Sequence, residues 1–192
     1  MLLFNISEED FLAQAKPGLV FPLMSTLTNS EIGPLDLYQK LSSEKSSSFL
    51  LESAEQGVWS RYSFIGLGAR SEIRFKTTGE TAIANGDLLL PNASAPSGTV
   101  LESLESVTSA WRQAEIENLP PLASGLVGLI GWDLIREIEK LPVGKPSGYE
   151  APLMHLQLVS ELVVVDHLEQ NVKIISNIYC DGSVSYTHLR AH

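Results

Sequence analysis

The chain has 192 residues, of which 44% are hydrophobic and 19% charged, as in an ordinary globular protein and unlike a disordered one. Thirteen basic and twenty-three acidic residues give a formal net charge of -10, which together with the lack of a Lys/Arg cluster argues against binding to nucleic acid or to an anionic membrane. One cysteine excludes an internal disulfide, and no apolar run reaches the roughly 20 residues that span a bilayer. The N-terminus lacks the basic residues of a signal peptide, so we expect a cytoplasmic protein.

The first half of the chain alternates short helix and strand patterns. Ser7 followed by three acidic residues is typical of a capped helix start, and Pro17 should end that helix. Pro34 at a first helical position begins a second, amphipathic helix. The segments predicted as strands are 19–26, 48–53, 62–67 and 72–77, and an Asn-Gly pair within 81–90 predicts a hairpin.

The second half of the chain contains a longer helix pattern and the longest β-like run. Residues 100–116 have helical spacing of apolar residues, and 133–140 predict a short amphipathic helix. The glycine-rich segment 125–132 predicts a strand that packs closely against another element. Residues 154–166 predict one long strand, with 172–179 as its antiparallel partner. Hairpins and separated helices together indicate an α+β fold with largely antiparallel sheets.

The C-terminal residues differ in character from the rest. Residues 183–192 hold two of the four histidines, lack apolar periodicity and look like translated cloning adapter. We therefore expect one domain over residues 1–181, a non-native or disordered tail over 182–192, and a natural chain that is longer.

The chain carries few residues suited to chemistry. Its glycine runs match neither a phosphate-binding loop nor a dinucleotide fingerprint, and its histidines lack metal-ligand spacing, so we expect no catalytic residue and no metal ligand. Neither Cys180 nor Ser53 has a base at recognisable spacing. Asp133 and Arg136, three residues apart, favour a surface ion pair. Trp132 is predicted to lie in the core rather than in a cleft wall.

Glu52 and Ser53 are the candidates for a ligand site. They end an apolar strand-like run, and an aromatic, hydroxyl-rich strand follows after Arg61. A carboxylate can accept hydrogen bonds from a ligand ammonium, and a hydroxyl can donate to or accept from a polar group. The residues alone leave two alternatives open, a ligand pocket and a capped turn.

Four ordered segments carry a family resemblance. They are Leu-Leu-Glu-Ser at 50–53, Arg-Tyr-Ser-Phe-Ile-Gly at 61–66, the glycine strand 125–132 with the following Asp, Arg, Glu and Leu-Pro, and Pro-Leu-Met at 152–154 leading to Val-Val-Asp-His at 164–167. Together they resemble the N-terminal domain of anthranilate synthase component I and of its close relative, aminodeoxychorismate synthase component I. The chain departs from the family pattern at Gly33, where threonine is favoured, and at Leu129 and Trp132, where tyrosines are usual.

The resemblance implies a regulatory domain without the catalytic part. The complete family enzyme converts chorismate and ammonia into anthranilate and pyruvate, with Mg²⁺ holding the substrate and a glutamine amidotransferase subunit supplying ammonia. Its chorismate and Mg²⁺ residues lie in a larger C-terminal domain, so no cofactor is expected in this chain. The N-terminal domain contributes to a tryptophan feedback site, in which Leu51, Glu52 and Ser53 would line the pocket and Arg61 is a weaker candidate. An aminodeoxychorismate synthase domain and a free-standing amino-acid-binding module are the alternatives.

Overall fold

The computed structural model describes residues 4–28, 33–43, 45, 47–53, 60–76, 81–84, 98–142 and 151–180. Its helices are α1 (Glu8–Gln14), α2 (Pro34–Ser42) and α3 (Val100–Ala110), with a 3₁₀ helix at Trp132–Glu137. Its strands are β1 (Val20–Thr28), β2 (Ser48–Leu51), β3 (Tyr62–Leu67), β4 (Ala69–Phe75), β5 (Thr81–Ala84), β6 (Leu126–Ile130), β7 (Met154–Val159), β8 (Glu161–Asp166) and β9 (Asn171–Tyr179). None of the described helices is long and apolar enough to cross a membrane.

The described residues of 1–69, 112–125 and 159–192 form one compact unit, which is built on a five-stranded sheet. The strand order is β1-β9-β8-β3-β2, with antiparallel pairing between neighbours. The helix α1 packs through Phe11 against Phe21 and Leu23 of β1. On the same face of the sheet, toward its β2 edge, Leu37 and Tyr38 of α2 pack against a cluster that includes Ile65, as the amphipathic pattern predicts.

The described residues of 70–111 and 126–158 form a second compact unit around a four-stranded sheet of order β5-β4-β7-β6. In β6, Gly128 lies so close to β7 that an added Cβ would overlap the His155 carbonyl. The predicted close approach of the glycine strand is therefore confirmed. Thr99 caps α3 through a capping box with Glu102, and the Glu137 carboxylate accepts hydrogen bonds from the first amides of the same helix.

The α+β fold predicted from the sequence is confirmed, and so are several of its elements. Ser7 caps α1 by accepting a hydrogen bond from the Asp10 amide, and Pro34 begins α2. The strand β9 pairs antiparallel with β8, as 172–179 predicts. The Asn85-Gly86 hairpin turn and the tail 182–192 lie outside the described residues.

The prediction of one long strand over 154–166 is wrong. The run is two strands, since β7 belongs to the four-stranded sheet and β8 to the five-stranded sheet, with the break at Ser160. There the Ser160 amide donates to the Gly68 carbonyl, and the Ser160 carbonyl accepts from the Asn177 amide. An unbroken apolar run fits a buried strand in either sheet, so hydrophobic pattern alone does not locate the break.

Two helix predictions are also corrected. The helix predicted over 100–116 ends at Ala110, because the next residues are extended and bond to β1: the Val20 amide donates to the Arg112 carbonyl, and the Ala114 amide donates to the Val20 carbonyl. The segment 133–140 is a 3₁₀ helix over Trp132–Glu137. In both cases tertiary bonding overrides a local helical pattern.

Candidate functional site

The candidate residues lie at one end of the β2–β3 hairpin. The strand β2 ends at Leu51, which pairs with Phe64 of β3, and Glu52 and Ser53 follow it directly. All three of Leu51, Glu52 and Ser53 are exposed. Arg61 immediately precedes β3, so the antiparallel hairpin brings all four sequence-predicted residues to the same end of the five-stranded sheet. An exposed carboxylate and an exposed hydroxyl at a strand end can contact a ligand.

A cluster of four charged residues, here termed the Asp166 cluster, occupies the same sheet end. It consists of Arg61, Asp166, Glu169 and Lys173. The Arg61 Nε and Nη2 atoms donate to the two carboxylate oxygens of Asp166 at 2.9 and 2.7 Å, and Nη2 also donates to Glu169 at 2.8 Å. Lys173 Nζ donates to Asp166 Oδ2 at 2.8 Å. Asp166 is fully buried. Because Arg61 precedes β3, Asp166 ends β8 and Lys173 lies in β9, these hydrogen bonds connect the start of β3 with both strands of the β8–β9 hairpin.

The electrostatics of the cluster favour its charged form. Burial by itself raises the pKa of Asp166, but hydrogen bonds from Arg61 and Lys173 outweigh it and hold that pKa well below its usual value. Burial opposes the charged form of Lys173, yet its hydrogen bond to Asp166 leaves the Lys173 pKa above the usual value. The pKa of Glu169 is lowered mainly by the hydrogen bond from Asn171 and next by the one from Lys173. All three groups are therefore ionised at neutral pH.

The turn between β8 and β9 is built on the same carboxylate. The backbone amides of Leu168 and Glu169 both donate to Asp166 Oδ1 at 3.2 Å. His167 connects the turn to β3, since its amide donates to the Arg61 carbonyl at 2.8 Å and its ring Nε2 lies 2.8 Å from the buried Ser63 hydroxyl. The turn and the start of β3 are thus held as one element.

This arrangement separates the roles of the candidate residues. The guanidinium of Arg61 already binds Asp166 and Glu169 and lies 4.8 Å from the ring centroid of Tyr62. Glu52 and Ser53 lie on the exposed chain after β2. Arg61 is thus engaged within the Asp166 cluster, whereas Glu52 and Ser53 are exposed.

The sequence alone does not predict the roles of Asp166 and Lys173. A usable signal is present: an Asp ends the apolar β8 run, and a Lys stands inside the β-like run of the partner strand β9. A lysine that is 7% exposed inside a strand needs an anionic partner, because a buried unpaired charge is strongly unfavourable. The nearest acid across such a hairpin is then the expected partner.

The other residues considered for chemistry are structural or exposed. The predicted ion pair between Asp133 and Arg136 is confirmed at 3.0 Å. The prediction that Trp132 lies in the core is wrong, because it is 87% exposed. Cys180 is buried beside Phe11 in the core of the first unit. Within the described ranges, no group of three or more His, Cys, Asp or Glu residues is placed to hold a metal ion.

The fold defines an α+β protein of the type found in anthranilate synthase component I. The crystal structure of anthranilate synthase component I from Streptococcus pneumoniae TIGR4 superimposes with a TM-score of 0.52 at 20% sequence identity, over 85% of this chain and 35% of that one. At this identity the match establishes the fold.

Sequence relatives are more specific, although no protein-family model matches the chain. Anthranilate synthase component 1 of Mycolicibacterium smegmatis is 34% identical over 172 residues, which cover 89% of this chain and 32% of the relative. The protein of the same name from Arthrobacter globiformis is 35% identical over 88% of this chain and 31% of the relative. The chain is homologous to anthranilate synthase component 1 over the N-terminal part of that protein, and it spans about a third of the length of these relatives.

Proposed function

We propose that the chain is the regulatory and scaffold domain of an anthranilate synthase component I, and that it forms part of a tryptophan feedback site. The observation that carries the proposal is the sequence similarity to anthranilate synthase component 1 over about nine tenths of the chain. Chorismate would be the substrate of the complete enzyme, anthranilate its product, and a glutamine amidotransferase its partner. The short length relative to its homologues supports a domain that is inactive alone.

The strand-end site supports a binding mode for the amino acid. Glu52 would accept hydrogen bonds from the ammonium group of tryptophan, and the Ser53 hydroxyl would bond a second polar group. Arg61 would act indirectly, because its guanidinium is held by Asp166 at 2.7 and 2.9 Å. Tryptophan would inhibit the enzyme only through a higher affinity for a less active arrangement of the complete protein.

Magnesium would bind outside this chain. Mg²⁺ prefers several oxygen ligands in near-octahedral geometry, and within the described residues no group of three or more acidic or histidine side chains is placed to hold a metal ion. The described donor set therefore does not fit the ion, and the chain's part in the reaction would be binding of the effector and support of the catalytic region.

The first experiment measures anthranilate formation by the isolated chain, supplied with chorismate, ammonia and Mg²⁺. We expect no product above background, because the residues for chorismate and Mg²⁺ would lie elsewhere. Anthranilate production by the purified chain would contradict the proposal.

The second experiment tests the feedback site in a complete protein. Residues 1–181 are fused to the remainder of the Mycolicibacterium smegmatis relative, and anthranilate formation is measured against tryptophan concentration. Glu52→Gln should raise the inhibitory concentration by at least about tenfold, as expected for the loss of one charge-assisted hydrogen bond. The control is Glu105→Gln, an exposed acid on α3. An active fusion that Glu52→Gln leaves as sensitive as the control would refute the assigned site.

Two alternatives make different predictions. An aminodeoxychorismate synthase domain would retain the fold, and its native full-length protein would release aminodeoxychorismate in place of anthranilate. A free-standing module would bind tryptophan tightly and saturably without further chain, which calorimetry on the isolated protein measures. We expect weak binding, because the rest of the pocket would come from the other domain.

A further inference from the structure

The C-terminal end of β6 exposes a run of large apolar side chains. Ile130 is 53% exposed and Trp132 87% exposed, and Leu129 on the other face of the strand is also exposed. Exposed apolar residues that occur singly are ordinary, whereas Ile130 and Trp132 are two positions apart in extended chain and therefore lie on one face, where a contiguous apolar surface favours burial. We name Ile130 and Trp132 the β6 patch.

Among the described strands, none covers the backbone beside the patch on its outer side. In the four-stranded sheet β6 is an outer strand, and β7 is the one described strand that pairs with it. The Gly131 amide donates to the Leu153 carbonyl at 2.8 Å, so Gly131 is a position whose backbone bonds toward the β7 side. Because bonded and non-bonded residues alternate, Gly128 and Ile130 direct their amides and carbonyls away from β7. The outer edge of β6 can therefore pair with a further strand.

The outer strands of the five-stranded sheet lack this combination. The strand β1 contains Pro22, and its outer side is bridged by Phe4 and by Gln113. The strand β2 has four residues and contacts α2. The strand β6 contains no proline and no charged residue that would block pairing. Its sequence is that of an interior strand.

We propose that the β6 edge and the β6 patch bind a strand from the catalytic region of an anthranilate synthase component I polypeptide; this inference rests on the proposed function. The relatives are about three times as long as this chain, so their remaining residues supply a partner. A second copy of the chain is disfavoured, since each copy carries a net charge of -10. An added strand would bond to the outward backbone groups of Gly128 and Ile130 and cover Trp132.

Hydrogen exchange tests the pairing directly. Amide exchange is measured in the isolated chain and in the fusion of residues 1–181 with the remainder of the Mycolicibacterium smegmatis relative. The Gly128 and Ile130 amides should exchange at least about tenfold more slowly in the fusion. The Leu129 amide, which is directed toward β7, should change less. Equal exchange of Gly128 and Ile130 in both proteins would overturn the proposal.

Paired substitutions test the patch. Ile130→Glu and Trp132→Glu should leave the urea midpoint of the isolated chain unchanged and lower that of the fusion. The control is Leu35→Glu, because Leu35 on α2 is also 53% exposed and should respond equally in both proteins. Loss of stability in the isolated chain, or equal behaviour in both proteins, would contradict the proposal. So would a dimer of the isolated chain, seen by light scattering, that Ile130→Glu dissociates.

These results are separable from the proposed function. A fusion that protects the β6 edge without responding to tryptophan would support the interface and refute the feedback site. A fusion that responds to tryptophan without protecting the β6 edge would support the feedback site and refute the interface.

Discussion

Replacement of Asp166 by asparagine should be among the most destabilising polar substitutions in the chain. The variant retains the size and one carbonyl oxygen of the side chain, so the turn amides keep an acceptor, but the negative charge is lost. Lys173, which is 7% exposed, then lacks its closest counter-ion, and Arg61 keeps only Glu169. Removing one partner of a buried ion pair costs about 3–5 kcal/mol, because the other charge stays buried. With an m-value of about 2 kcal/mol per M urea, the midpoint should fall by about 2 M.

The assay is urea unfolding of the isolated chain, followed by tryptophan fluorescence and circular dichroism at neutral pH. Asp133→Asn is the matched control, because Asp133 forms an exposed ion pair with Arg136 at 3.0 Å, and its loss should cost no more than about 0.5 kcal/mol. Lys173→Met should fall between the two, since Asp166 would keep Arg61 and the turn amides as donors. If Asp166→Asn costs no more than Asp133→Asn, the Asp166 cluster does not stabilise the fold.

Three further predictions concern pH, a buried amide and a glycine. The pKa of Asp166 lies below its ordinary 3.8, so the stabilisation from the cluster is present above about pH 4 and is lost as the pH falls further. The difference in unfolding free energy between wild type and Asp166→Asn should therefore shrink below about pH 4. A difference that stays constant would contradict the role of Asp166. Because the pKa of Lys173 is raised above 10.5, its contribution should be lost only above that pH. Asn177→Leu should cost about 1–3 kcal/mol in urea unfolding, since its side-chain amide donates to the buried Ala123 carbonyl at 3.0 Å; a neutral effect would show that another donor replaces it. Gly128→Ala should lower the urea midpoint, because the new Cβ meets the His155 carbonyl. Gly33→Ala should lower it less, because its Cβ would lie at an ordinary contact distance, 3.8 Å from Asp36 Oδ2. Equal midpoints of the two variants would argue against the close approach in β6.

The elements that the sequence predicts well are those with local determinants. The Ser7 cap and Pro34 act within a few residues, and both helices begin where these residues place them. The break at Ser160 has no such local signal, because it depends on bonds to Gly68 and Asn177, far away in the chain. The end of α3 at Ala110 likewise depends on the pairing of the following residues with Val20.

The candidate site follows the same rule. The positions of Glu52 and Ser53 at a strand end are a local property and follow from the pattern of apolar residues. The contact between Arg61 and Asp166 joins residues far apart in the sequence, so the pairing emerges only once the order of the strands is known. A sequence pattern identifies a buried charge in a strand, and the topology identifies its partner.

The position of β9 has a consequence for synthesis. The strand lies between β1 and β8, so β1, made near the start of translation, receives its neighbour in the sheet only when residues 171–179 have left the ribosome. Until then Phe21 and Leu23 lack the strand beside them, which favours contact with chaperones or with other nascent chains. Pairing at such sequence separation also slows folding, because the entropy of closing a long loop is lost before the contacts form. Any polypeptide that stops short of β9 would leave β1 without its partner strand.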